Sequence, residues 1–275
     1  MSNNPLQQYF RQPKIYIGLP SKGIFNKVGT IQGDSSHMPV FSMTGMDEVI
    51  VKTPDALMTG ESTVKVIESC CPTIKDAWDL SNLDVPLVLA AIRIATYGND
   101  IKVYHKCKAC GEGHEYSLDL SRLIEHYNGF KYDNTIKVNE LTIRLRPLTY
   151  KESSQFAIKN YVLQKQLAQA GAIEDETAQQ EALNALFVEL SKLQNEIFAT
   201  SIETVETPQQ AVTDRTYINE WIQNCDKEIF DQMKKKFDTT RESIKAPPYK
   251  TQCDDCGADN DVLFELDEST FFDRA

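Results

Sequence analysis

Apolar and polar positions along the chain follow two periods in turn. Residues 15–19 form a strand-like run that closes in the turn Pro20-Ser21-Lys22-Gly23, and residues 39–43 form a second run. Thr44-Gly45-Met46-Asp47-Glu48 follows, and its two acids suit the positive end of a helix dipole. Val64, Ile67 and Glu68 sit at helical spacing within residues 60–70. Residues 87–97 are apolar nearly all round, which predicts a buried helix with Pro86 in its first turn and Gly98 as its C-cap. Arg93 interrupts that face and must find a partner or reach the surface. Residues 101–106 alternate as a strand does, a short helix is expected over 119–126, and residues 135–138 and 141–145 flank Asn139-Glu140 as a hairpin.

The period then becomes helical. Thr149 and Glu152 have the spacing of a capping box, and the run from there to Ala170 carries Phe156, Leu163 and Leu167 on one side. A second helix is expected over about 175–200, because Leu183, Leu186, Leu190, Leu193 and Ile197 step by three and four. The two helices should pair as an αα-hairpin, with Phe187 and Phe198 widening its apolar stripe. Thr207-Pro208 reads as the N-cap and first residue of a further helix through Trp221, Ile222 and Cys225. Lys234-Lys235-Lys236 reads as a solvated face, and Ala246-Pro247-Pro248-Tyr249 as an extended lead.

Two short stretches stand out against this pattern: Cys107-Lys108-Ala109-Cys110-Gly111 and Cys253-Asp254-Asp255-Cys256-Gly257. In each, a Cys-x-x-Cys turns both sulfurs to one point, and the glycine supplies the positive φ such a turn needs. Strand-like runs follow at 114–118 and 262–266. Together Cys107, Cys110, Cys253 and Cys256 offer the four thiolates of a structural zinc site, although about 140 residues separate the pairs. Two unrelated turns and a redox dithiol are the other readings. The redox reading expects a helix start near a βαβ unit, whereas both pairs here lie between strand-like runs. His105 and His114 flank the first pair and could replace a cysteine as ligand. Cys70 and Cys71, being adjacent, read as packing residues.

The expected architecture is therefore α+β. A mixed α/β region with the first knuckle covers 1–147, a helical insertion covers 148–245, and 246–275 brings the second knuckle that completes a zinc-ribbon-like module of four cysteines.

Charge and composition narrow the function. The 275 residues carry 40 acids against 29 bases, a net charge of −11, and binding phosphates calls for the opposite balance. A zinc-ribbon nucleic-acid-binding adaptor is thus the second reading, and no membrane association is expected. The polar start of the chain lacks the regions of a signal peptide, and seven cysteines without an export signal favour reduced thiols and metal ligation. Gly-x-Ser-x-Gly, His-Glu-x-x-His and Gly-x-Gly-x-x-Gly motifs are absent from the sequence. Four cysteines also close a zinc shell that catalysis would need open.

The motifs in order resemble the baseplate hub and hub-assembly proteins of contractile-tailed, T-even-like bacteriophages. The resemblance runs through Leu19-Pro20-Ser21-x-Gly23, Met43-Thr44-x-x-Asp47-Glu48, Asp84, Ile92-Arg93 and Tyr97-Gly98. It continues with Cys107-x-x-Cys110-Gly111 before Asp119-Leu120, then Cys253-x-x-Cys256-Gly257 and the terminal Phe271-Phe272. It covers residues 14–121 and 247–273, with a helical insertion between them. What it implies is a non-catalytic hub component or assembly factor that binds hub proteins and the largely helical tape measure protein. The protein would sit in the virion baseplate, or in the host cytoplasm during assembly.

Overall fold

The computed structural model describes residues 4–53 and 59–262. Within them the chain forms two compact units, one built from 4–131 together with 245–262, the other from 132–244.

The first unit opens with a short 3-10 turn (Pro5–Tyr9) and an antiparallel pair, β1 (Pro13–Ile17) and β2 (Met38–Phe41). Helix α1 (Gly45–Val51) begins at a capping box in which Thr44 and Asp47 satisfy each other's backbone amides. Helix α2 (Glu61–Cys70) follows, then α3 (Val85–Tyr97). Every side chain of α3 from Leu87 to Ile92 is buried, as its all-round apolar sequence requires, and β1, β2 and α2 pack around it. Arg93 is also buried, with its guanidinium 5.2 Å from the Tyr97 ring centroid. Cys70 and Cys71 lie in the core, where burial pushes both thiols up, Cys70 to about 12. Two charged groups pin the connecting segments. Arg11 donates to the Ser42 and Ser69 carbonyls at 2.6 and 2.7 Å. The buried carboxylate of Asp84 accepts from the Ser21 amide at 2.8 Å and its hydroxyl at 2.5 Å. Strands β3 (Asp100–Lys106) and β4 (Gly113–Asp119) then form a two-stranded ribbon, and α4 (Ser121–Gly129) packs back on α3.

The second unit is organised on a four-stranded antiparallel sheet. Strands β5 (Thr135–Val138) and β6 (Leu141–Leu145) form the expected hairpin, with Asn139 at φ 52° in its turn. Helices α5 (Tyr150–Ala170) and α6 (Glu176–Ser201) pair as the expected αα-hairpin, α5 starting at the Thr149–Glu152 capping box. The chain runs directly from α6 into β7 (Ile202–Glu206), which pairs with β6, and then into the short β8 (Ala211–Val212). Helices α7 (Arg215–Asn224) and α8 (Lys227–Ile244) complete the unit. Its core joins Ile136, Ile143 and Leu145 of the sheet to Phe198, Ile202, Met233 and Phe237.

Three expectations are revised here. Thr207-Pro208 does not start a helix; Thr207 closes the β7–β8 turn, accepting from the Gln210 amide at 3.1 Å, and Asp214 caps α7 instead. The 135–145 hairpin does not belong with the N-terminal region, because β6 pairs with β7, so the division falls at 131/132 and not at 147/148. Phe198 does not widen an exposed stripe; it is fully buried between Phe230 and Phe237, with ring centroids 5.7 and 5.3 Å away.

The chain returns to the first unit through β9 (Tyr249–Gln252) and β10 (Asp259–Val262), a second antiparallel ribbon. The hydroxyl of Tyr249 donates to the Asp119 carbonyl at 2.8 Å, fastening the returning strand to the end of β4. Strand β10 starts at Asp259, ahead of the expected 262–266 run, of which residues 263–266 lie outside the described residues. Phe271-Phe272 lies outside the described residues.

Candidate metal centre

Each ribbon ends in a knuckle built on the same Cys-x-x-Cys-Gly pattern. In the first, the Cys107 amide donates to the Glu112 carbonyl at 2.8 Å and the Gly111 amide to the Cys107 carbonyl at 2.9 Å. In the second, Cys253 donates to Ala258 and Gly257 to Cys253, both at 2.9 Å. Gly111 and Gly257 sit at φ 80° and 70°, where any larger residue would be strained.

The knuckles bring all four expected cysteines together. The Cys107 and Cys256 sulfurs are 3.7 Å apart, as are those of Cys110 and Cys253, and all four lie within 4.8 Å of one another. Four sulfurs bound to one ion at about 2.3 Å in a tetrahedron stand about 3.8 Å apart, so the spacing fits a metal and is far too long for disulfides. The first cysteine of each knuckle is buried and the second exposed.

The electrostatics point the same way. The amides of Cys110 and Ala109 aim at the Cys107 sulfur and bring its thiol down to about 6, well below a free thiol. The Glu112 amide favours a thiolate at Cys110 too, yet burial and the thiols of Cys253, Cys256 and Cys107 push it up to about 12. Cys107 thus favours the thiolate, while Cys110 is held as a thiol by its neighbours at close range. A cation at the centre reverses that balance, because a coordinating thiol is deprotonated outright. The donor set, its spacing and its amide bonds fit a metal ion held by Cys107, Cys110, Cys253 and Cys256. An ion bound by four protein ligands would have a structural role.

The two histidines considered as replacement ligands separate. His105 pairs with His114 across β3 and β4, while the Nε2 of His114 lies 3.6 Å from the Cys253 sulfur and 3.1 Å from Asp255 Oδ2. His114 stands beside the four sulfurs and does not take the place of one. Asn260, which bonds the Cys107 sulfur through its side chain, was not among the expected site residues. Aligning the knuckles on their cysteines would have found it, since His114 and Asn260 then occupy the same position.

A family model described as T4 bacteriophage base plate protein matches residues 44–272, more than four fifths of the chain. The chain belongs to that family. It is a structural component of a T4-like phage baseplate, which places it in the virion tail among other tail proteins. No curated protein and no solved structure matches it. The matched span begins at the capping residue Thr44 and takes in both knuckles and the whole inserted unit.

Proposed function

We propose that this baseplate protein is a non-enzymatic component or assembly factor of the hub, that a single structural zinc closes its two knuckles, and that the α5–α6 hairpin docks on helical hub or tape measure proteins. The observation carrying the zinc reading is the four-sulfur cluster, whose 3.7 Å spacings match a closed tetrahedral shell. The docking reading rests on the hairpin's surface. Ile158, Tyr161 and Val162 fall at helical neighbour positions on α5 and are exposed, as are Phe187 and Val188 on α6. An amphipathic helix with apolar surface left over after pairing is a helix-in-groove or bundle partner.

The test is a full-length variant carrying Ile158→Ser, Tyr161→Ser and Phe187→Ser, produced during infection. It is expected to fold and hold zinc like the parent, yet to lose co-purification with the hub and tape measure proteins. Undiminished capture of both would remove the hairpin from the contact. Capture of neither by the parent chain would remove the hub assignment.

A further inference from the structure

We propose that His114 and Asn260 are a reciprocal pair of positioning residues, each donating a hydrogen bond from its own knuckle to the first cysteine of the other and so holding the metal centre closed. The inference rests on the zinc reading and deepens it.

The two halves of the centre correspond residue by residue. Cys107, Cys110, Gly111 and His114 in one match Cys253, Cys256, Gly257 and Asn260 in the other. The correspondence extends to the ribbons. His114 is the second residue of β4 and pairs with His105; Asn260 is the second residue of β10 and pairs with Thr251. His114 Nε2 reaches to 3.6 Å from the Cys253 sulfur, and the Asn260 amide donates to the Cys107 sulfur. Asn260 is buried, and its Nδ2 also lies 3.4 Å from the Ala258 carbonyl.

The hydrogen on His114 is fixed by its neighbours. A metal-bound thiolate and the Asp255 carboxylate both only accept, so Nε2 carries the hydrogen that they share. Asp255 lies within the second knuckle, between its two cysteines, and so holds the ring against the knuckle it serves.

The remaining donors work differently. The amides of Cys110 and Ala109 serve Cys107, the amide of Glu112 serves Cys110, and the amide of Ala258 serves Cys256. Each of these stays within one knuckle, shaping it without joining it to the other. The two crossed side chains do join the knuckles, so separating them breaks both bonds. Four thiolates on a divalent ion carry excess negative charge, and charge-assisted N–H bonds to sulfur offset it. Partners of this kind orient first-shell ligands and set metal affinity.

The experiment uses full-length protein loaded with zinc, and a cobalt-loaded sample for its sulfur-to-metal charge-transfer bands. Chelator competition gives the zinc affinity and release rate. His114→Phe keeps a ring of similar size without the N–H, and is expected to weaken zinc binding about 10- to 100-fold and to shift the cobalt bands. His114→Gln, which restores a side-chain N–H, is expected to recover most of the loss. Asn260→Leu should act in the same direction, and the double variant should lose more than either single one. His114→Phe with parental affinity, release rate and cobalt spectrum would overturn the proposal. So would equal losses in His114→Phe and His114→Gln, which would assign the ring a packing role only. A parent chain that binds neither ion through four sulfurs would instead remove the zinc reading on which the pair depends.

Discussion

Asp84 shows what single residues contribute here. Its carboxylate is buried, and burial raises it to about 6 although Ser21 and Asn26 bond to it. The native state therefore keeps a proton between about pH 4 and 6 that an unfolded chain, with the ordinary value of 3.8, releases. That stabilisation is complete below about pH 4 and lost as pH rises through 6, a difference of at most about 3 kcal/mol. Asp84→Asn should remove it, so urea midpoints of parent and variant should diverge across that window; parallel curves would contradict the account. Cysteines divide as sharply. Cys253→Ser opens the metal shell, and metal-binding energy is folding energy. Cys225→Ser touches a half-buried thiol whose sulfur lies 3.5 Å from the Ile222 carbonyl, and should cost about 1 kcal/mol or less. Equal melting temperatures for these two variants would show that the second knuckle does not hold the fold. The motifs named Ser21 and Asp84 separately; that they are partners depends on a contact spanning 63 positions, which local pattern does not carry.

Elements were legible where their signals were local. Thr149 and Glu152 announced α5, the apolar run announced α3, and Asn139 announced the hairpin turn. Strand β7 was hidden because it has only five residues, joins α6 without a loop, and gains its partner from β6, far upstream. Thr207-Pro208 misled because the same pair opens helices and closes turns, and only the β8 partner decides between them. The two phenylalanines of α6 looked alike by spacing, yet one lies in the core and the other is 56% exposed. Phe198→Ala should therefore cost about 3–5 kcal/mol through the cavity it leaves, and Phe187→Ala less than about 0.5 kcal/mol. Chemical denaturation of both variants checks this; comparable losses would mean that the hairpin's apolar surface is spent on folding and not on a partner.

At the scale of the whole molecule, the proposed metal would join two segments that a 113-residue unit, 132–244, separates along the chain. The spacing of the cysteines made a clasp legible, whereas the crossing of His114 and Asn260 needed the register of both ribbons. The second unit has its own sheet and core, so removing the metal should affect the units unequally. After chelation, amides of β3, β4, β9 and β10 should lose protection from hydrogen exchange while those of Ile143, Phe198 and Ile202 keep it. Uniform loss would show that the second unit depends on the clasp. The central claim, one zinc shared by both knuckles, is tested most directly by zinc content and zinc K-edge X-ray absorption on protein purified without chelator. The account predicts one zinc per chain, bound by four sulfurs at about 2.3 Å. A chain without zinc, or a zinc shell containing nitrogen or oxygen in place of any of the four sulfurs, would contradict it.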